Sequence, residues 1–396
     1  MVSAGKNKLA SAFYEMRGYI VVILVFTALS MAVPLRAVTL NPGALPAALQ
    51  IPNSLENFVA GVWSQFSVLL DAGIGDAKDA IVPLKRYFSH FGYLNLSGTN
   101  ATEIFDTDLL SAVKLYQQSF RLEVSGKLDL KTLTKIMTPR CGREDVADGV
   151  PLMLQTTSVS HMASGYHSVG HYSFFPSHPT WPSSQRNLTY AFSPFNETGR
   201  MSLEERKLAF SNAFNQWAAV IPMNFTEIDD YEIADVKIEF VSYSHGDGEP
   251  FDGVLGVLAH AFSPTDGRFH LDDSEYWKSL ASKSMTELQD IDLQSVVTHE
   301  IGHLIGLAHS PVEDAIMYPS IAPGQTKLQL QLDDIQGAQA LYGVNPNYKP
   351  DNSMAHTSSV VERHCWALKV NIRMPLCHNW FHVSTYISIY LMFLYF

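Results

Sequence analysis

One stretch, His299-Glu300-Ile301-Gly302-His303-Leu304-Ile305-Gly306-Leu307-Ala308-His309, limits what this chain can fold into more than any other. With Asp292 as N-cap, a helix from about Leu293 to Ile305 carries His299 and His303 one turn apart on one face, where both can bind a single metal ion. Val297, Ile301, Leu304 and Ile305 fall on the opposite side, so the core-facing stripe and the ligand stripe do not compete. Gly306 ends the helix. At positive φ it lets the chain reverse and bring His309 back as a third ligand. Three histidines leave one position of a tetrahedral zinc open, which separates a catalytic ion from a closed structural one, and water held there has a pKa of about 7. Glu300 is next to a ligand without being one, and is placed to take the proton from that water. A single histidine is usually a satisfied core residue; five fixed residues over this short span are not explained that way.

Composition bounds the rest. The 396 residues, 46% hydrophobic and 17% charged, suffice for two small domains with cores. A formal net charge of -12 argues against nucleic acid or an anionic membrane surface as a partner, with acidic metal ligands accounting for part of the excess. Of the three cysteines, Cys365 and Cys377 are close enough in sequence to pair in an oxidising compartment, which leaves Cys141 to be explained. Lys6, Lys8 and Arg17 precede an apolar run from Tyr19 to Ala32 that ends in Ser30-Met31-Ala32, so residues 1–32 read as a secretory signal, with an uncleaved anchor as the alternative. Five Asn-X-Ser/Thr triplets, at Asn95, Asn100, Asn187, Asn196 and Asn224, agree with secretion as candidate N-glycosylation sites.

After an N-terminal segment at 33–75, residues from Asp76 to Met137 read as a small helical unit. Its stripes are Ile81, Leu84, Phe88 and Phe91; then Leu109, Val113, Tyr116 and Phe120 after Asp106; then Leu130 and Leu133 after Asp129. These aromatic stripes read as core. Residues 146–171 lose all periodicity and read as an exposed linker. Within 172–345, Leu188–Phe192 and Val236–Val241 read as strands. Ser202-Leu203-Glu204-Glu205 is a capping box for a helix burying Phe210, Phe214 and Trp217. Strand, helix and strand in succession imply α-β layering. Asp333 and Asp334 head a last helix with Ile335, Ala338 and Tyr342 inward and Gly343 at its end. The tail, 346–396, closes on an apolar run from Val383 to Phe396 that is shorter than a membrane span and is a candidate glycolipid-anchor signal.

The zinc-binding string matches the metzincin pattern, and Ala315-Ile316-Met317-Tyr318-Pro319 follows where that clan has its methionine turn. Ser310, directly after the third histidine, resembles the matrixins, the matrix metalloproteinases, in a plant-like form without a hemopexin domain. Gly126-Lys127-Leu128-Asp129 makes the helical unit similar to the peptidoglycan-binding-like propeptide domain of that family. Thr138-Pro139-Arg140-Cys141-Gly142-Arg143-Glu144-Asp145 resembles its cysteine switch, in which Cys141 takes the open zinc position and Arg140 pairs with Asp145 to shape the loop. The family carries proline where this chain has Glu144, and Asn or an apolar residue where it has Arg143. The pattern resumes at Tyr172-Ser173-Phe174-Phe175-Pro176, so the resemblance puts the mature N-terminus near Tyr172.

The resemblance also implies a structural zinc on His245, Asp247, His260 and His270, and a calcium on Asp252, Asp272 and Glu275 with carbonyls around Gly253 and Leu255. It implies that Gly256–Ala259 is an edge strand pairing with an extended polypeptide substrate, and that Met317–Ile321 walls the pocket beside the zinc. Asp333 and Asp334 serve first as caps of the last helix, and a secondary reading has one of them receive the freed α-ammonium once the propeptide is gone. The expected fold is an α+β, layered metzincin domain, a twisted mixed sheet with the zinc helix in its cleft, behind a three-helix propeptide domain. The expected function is that of a secreted or cell-surface zymogen that cleaves internal peptide bonds and is inhibited by its own propeptide. Two other classes stay open here. One is a cell-wall or carbohydrate-binding protein with an inert zinc scaffold; the other is a zinc hydrolase acting on a non-peptide bond.

Overall fold

Two aspartates start two of the N-terminal helices. Helix α2 (Thr107–Ser119) is capped by Asp106, which accepts from Leu109 N at 2.9 Å, and α3 (Leu130–Ile136) by Asp129, which accepts from Thr132 N at 2.9 Å. Before them, α1 (Ile81–His90) buries Ile81, Leu84 and Phe88, with Phe91 at its C-cap. The computed structural model describes residues 61–96, 101–155, 157–160, 167–195, 200–279 and 289–350. The leader at 1–32, Cys365 and Cys377, the sequons Asn100 and Asn196 and the tail beyond 350 lie outside these residues. Among the described residues no helix is long and apolar enough to cross a membrane.

The three helices close on an aromatic core. Tyr87 meets Trp63 edge-on at 5.1 Å, and Phe88 meets Tyr116 edge-on at 5.6 Å. Two expectations change here. Leu130 is 42% exposed, and α3 turns Leu133 and Ile136 inward instead. The core also begins before Asp76, because a 3-10 helix at Val62–Leu69 contributes Trp63, Phe66 and Leu69.

The described start of the expected linker, residues 146–155, is packed where its lack of periodicity suggests exposure. Strands β1 (Val146–Ala147) and β2 (Val150–Pro151) pair, and the 3-10 turn Leu152–Leu154 buries Leu152 and Met153. Strands β3 (Thr157–Ser160) and β4 (His167–Gly170) form an antiparallel pair. Two-residue apolar patches bury area without leaving a period to read.

The second domain is a mixed five-stranded sheet in the order β6-β5-β7-β9-β8. These strands are β5 (Asn187–Phe192), β6 (Asn224–Glu227), β7 (Val236–Val241), β8 (Ala259–Ala261) and β9 (Arg268–Asp272). Only β8 runs antiparallel to its neighbour. Asn187 and Asn224 stand in register at the start of β5 and β6, with Asn224 Nδ2 donating to Asn187 Oδ1 at 2.8 Å, so two of the candidate glycosylation asparagines adjoin. Helix α4 (Leu203–Val220) opens with the expected capping box, Ser202 and Glu205, and buries Phe210, Phe214 and Trp217 against the sheet. Short strands β10 (Tyr276–Lys278) and β11 (Asp290–Asp292) pair in parallel and deliver the chain into α5 (Leu293–Leu304). Helix α5 lies against α4, where Trp217 Nε1 donates to Thr298 O at 2.9 Å. Helix α6 (Leu332–Tyr342) closes the layer, with Ile335, Ala338 and Tyr342 buried.

Candidate metal centre and active-site cleft

Asp292 caps α5 by accepting from Ser295 N at 2.9 Å, and the helix places His299 and His303 on the same side with ring centroids 4.8 Å apart. Gly306 has φ +102°, and a Cβ there would lie 2.4 Å from Pro179 O, so the reversal and the close approach both require glycine. The reversal returns His309 to centroid distances of 4.9 Å from His303 and 5.3 Å from His299. Each imidazole is fixed through Nδ1. His299 donates to Ile316 O at 2.7 Å, His303 to Leu307 O at 2.8 Å, and His309 to Asp145 Oδ1 at 2.7 Å. Carbonyls only accept, so Nδ1 holds the proton in His299 and His303 and Nε2 keeps its lone pair.

Those lone pairs converge. Nε2 of His299 and of His309 is buried without a hydrogen-bond partner, and His303 Nε2 is 3.3 Å from Cys141 Sγ. One ligand atom from each of Cys141, His299, His303 and His309 falls within 4.8 Å of all the others. Burial, followed by the mutual repulsion of neighbouring cations, lowers the pKa of His299 and His303, and burial lowers that of His309, so all three are neutral donors. Orphaned, inward-facing nitrogens in a buried pocket fit zinc.

Glu300 is fully buried beside them, and neither carboxylate oxygen has a hydrogen-bond partner. Burial pushes it up to about 8, with Cys141, Ala261 and Arg143 opposing the shift. Its place between two of the histidines lets this carboxyl exchange a proton with a group at the metal position. Burial and Glu300 also push the Cys141 thiol well up, so its thiolate needs a cation beside it.

The segment carrying Cys141 lies between two strand-like edges. Arg140 N donates to Gly256 O at 3.0 Å and Leu258 N to Arg140 O at 2.9 Å, while Gly142 N donates to Ala259 O at 2.8 Å. On the other side Cys141 N donates to Pro319 O at 2.9 Å and Ile321 N to Pro139 O at 3.1 Å. Arg140 bridges Val257 in parallel and Ser320 antiparallel. The segment Gly256–Ala259 thus lies at the sheet's edge: Leu258 O accepts from Asp272 N of β9 at 2.9 Å, β8 itself starts at Ala259, and the outer side pairs with Arg140 and Gly142. Arg140 makes a bidentate pair with Asp145, at 2.8 Å for each nitrogen, with its guanidinium 3.7 Å from the Phe91 ring centre. Arg143, at one of the two departures from the family pattern, donates its amide to Cys141 Sγ at 3.3 Å and lies over the rings of Phe262 and Phe175.

The pocket beside Glu300 is walled by Leu258, Val296, Ile316, Tyr318, Ile321 and Lys327. Met317 is not part of that wall. It lies under α5, where a Cβ on Gly302 would be 2.1 Å from its sulfur. Asp334 holds the turn from beneath, accepting from Ile316 N and Met317 N at 2.9 Å each, and it caps α6 through Gln331 N at 2.7 Å. Asp333 accepts from His171 N and from Ser310 Oγ at 2.7 Å each.

A second cluster lies at the sheet edge, where His260 on β8 and His270 on β9 stand opposite each other. Asp247 Oδ2 is 2.9 Å from His245 Nε2, 2.7 Å from His260 Nε2 and 2.9 Å from His270 Nδ1. His260 Nε2 is 3.2 Å from His270 Nδ1 and 3.4 Å from His245 Nε2. A tetrahedral zinc with bonds of about 2.0 Å spaces its ligands about 3.3 Å apart, so this set fits a closed site. Nearby, Asp272 and Glu275 are buried and Asp252 is half-buried. Burial and mutual repulsion raise Asp252 to about 6 and Glu275 to about 8, and Glu275 Oε2 has no partner. The amides of Gly253 and Leu255 donate to Asp272 Oδ2 at 3.3 Å and Glu275 Oε1 at 2.7 Å.

Sequence reasoning missed two residues of the cleft. Lys327 belongs to no motif in the sequence, yet it lines the pocket, and its ammonium donates to the carbonyls of Glu313 and Ala315. Asp145 was assigned only to Arg140, and its contact with His309 spans too much sequence to leave a local signal.

Known proteins share both parts of this architecture. The Matrixin family model matches residues 180–343, and a peptidoglycan binding domain model matches residues 78–136. The chain is 44% identical over 321 residues to metalloendoproteinase 2-MMP of Arabidopsis thaliana, covering 79% of this chain and 84% of that protein. Against metalloendoproteinase 5-MMP of the same plant it is 45% identical, covering 78% of this chain and 82% of the other. With interstitial collagenase of Bos taurus identity falls to 36%, covering 67% of this chain and 50% of the collagenase. Kinship of this depth, with histidines already disposed to receive zinc, makes the chain a member of the matrixin family and a zinc metalloendopeptidase.

Proposed function

We propose that the chain is a secreted zymogen whose own N-terminal segment holds it latent through Cys141. The observation that carries this reading is the placement of Pro139–Gly142 along the cleft, with Cys141 Sγ 3.3 Å from His303 Nε2. A substrate backbone and this segment would compete for the same edges, Gly256–Ala259 and Pro319–Ile321, since main-chain pairing accepts any sequence. Bound zinc supplies a Lewis acid for the scissile carbonyl and brings the pKa of water down to about 7. Glu300 takes the proton from the attacking water and passes it to the leaving amine nitrogen. The pocket bounded by Leu258, Ile321 and Lys327 receives the side chain after the scissile bond and sets preference.

His299, His303 and His309 are the catalytic zinc ligands in this reading. His245, Asp247, His260 and His270 hold a structural zinc, and Asp252, Asp272 and Glu275 a calcium with main-chain oxygens around Gly253 and Leu255. Secretion rests on the charged, then apolar, leader and on the sequons, of which Asn95, Asn187 and Asn224 are exposed. After processing near Tyr172, Asp333 is the better acceptor for a new α-ammonium, because it already holds His171 N, whereas Asp334 is committed to the turn.

The test is cleavage of unfolded protein by the purified full chain, with and without a thiol-reactive mercurial. The expected result is cleavage only after treatment, in Cys141→Ala without treatment, and never in Glu300→Ala. A Cys141→Ala chain that stays latent would contradict the proposal.

A further inference from the structure

We propose that Asp145 is a positioning residue for the catalytic metal, acting through His309, so that the N-terminal segment retains the ion as well as covering it. This rests on the three histidines holding zinc. The second partners of the three histidines are not alike. His299 and His303 donate Nδ1–H to Ile316 O and Leu307 O, carbonyls of the same domain that remain whatever becomes of the N-terminal segment. His309 donates instead to a carboxylate of the N-terminal segment.

That carboxylate is rigidly held. Asp145 Oδ1 accepts from Arg140 Nη2 at 2.8 Å and from His309 Nδ1 at 2.7 Å; Oδ2 accepts from Arg140 Nη1 and Tyr93 OH, both at 2.8 Å. It is wholly buried, with both oxygens engaged by these donors. Shaping the Cys141 loop needs only the pair with Arg140, and the contact with His309 is additional to that task. A carboxylate acceptor raises the basicity of a ligating imidazole and fixes its ring, and loss of such partners typically costs about 10- to 100-fold in metal affinity. The intact chain therefore has a stronger third ligand than the processed one, independently of the sulfur.

Zinc release from the full chain into a chromogenic chelator tests this in a Cys141→Ser, Glu300→Ala background, where no thiolate contributes and no self-cleavage removes the segment. A further His303→Ala change identifies the catalytic-site phase. Adding Asp145→Asn is expected to speed that phase about tenfold or more, whereas Arg140→Gln, which leaves the carboxylate on His309, changes it far less. Limited proteolysis of each variant reports whether the segment stays docked. A second readout needs no mutation: the Nδ1–H proton resonance of His309 in the intact chain is expected downfield of those of His299 and His303. Equal acceleration by Asp145→Asn and Arg140→Gln with the segment docked, or three similar proton resonances, would overturn the inference and leave the zinc reading standing. Release unaffected by His303→Ala would overturn both.

Discussion

Gly302 is the tightest point between the metal helix and the turn below it. A Cβ added there falls 2.1 Å from Met317 Sδ and 3.2 Å from Trp217 Cζ2. Trp217 cannot yield, since it is fully buried and its indole nitrogen is bonded to Thr298 O. Restoring an ordinary contact therefore moves the Met317 sulfur by about 1.5 Å within a packed core. Such overpacking costs about 1–3 kcal/mol, and exchanging glycine for alanine in a helix returns about 1 kcal/mol, so Gly302→Ala should destabilise by about 1 kcal/mol. Met317→Ala alone should cost about 2–5 kcal/mol through the cavity it leaves. In that background the clash with sulfur is gone and only the tighter approach to Trp217 opposes the helix gain, so Gly302→Ala should now range from neutral to stabilising by about 1 kcal/mol. Urea unfolding of the four zinc-saturated full chains, followed by tryptophan fluorescence, measures the cycle. An equal cost for Gly302→Ala in both backgrounds would refute the placement of Met317 beneath the helix.

Three further outcomes follow from the same geometry. Lys327→Ala removes the side chain that closes the pocket, and should raise kcat/KM for peptides with an aromatic residue after the scissile bond, relative to leucine, by about 1–2 kcal/mol in discrimination. Burial raises the fully buried Asp334 from 3.8 to about 6, so the folded chain takes up a proton across that window and gains stability from this group as pH falls through it. The stability difference between the parent and Asp334→Asn should accordingly grow by about 2 kcal/mol between pH 6 and pH 4 in urea titrations, and a constant difference would contradict it. Glu300→Ala should lower kcat by about 10²–10⁴-fold or more while leaving the zinc content unchanged, as metal analysis of the same preparation would establish.

What the sequence revealed was whatever its own short-range chemistry encodes. The metal helix was legible because Asp292, the four-residue histidine spacing and Gly306 each fix one local feature, and all three agree. Helix α4 was legible for the same reason, through Ser202 and Glu205. Contacts made by distant residues were not. The expectation of Met317 in the pocket wall fails because a methionine in a turn does not announce which side of the turn it faces. Val146–Ala147 and Leu152–Met153 dock through patches too short to show a period. Leu130 stands where the helical pattern expects core, but the short α3 turns Leu133 and Ile136 inward. Lys327 became a pocket residue because carbonyls of a loop satisfy its ammonium, and burial lowers it to about 8.

The central claim is that sulfur from the N-terminal segment occupies the fourth position of a three-histidine zinc. Zinc X-ray absorption of the intact full chain measures this directly. The account predicts a sulfur shell at about 2.3 Å that disappears in Cys141→Ser and after the segment is removed. An intact chain with only nitrogen and oxygen neighbours, or a sulfur shell unaffected by Cys141→Ser, would contradict it.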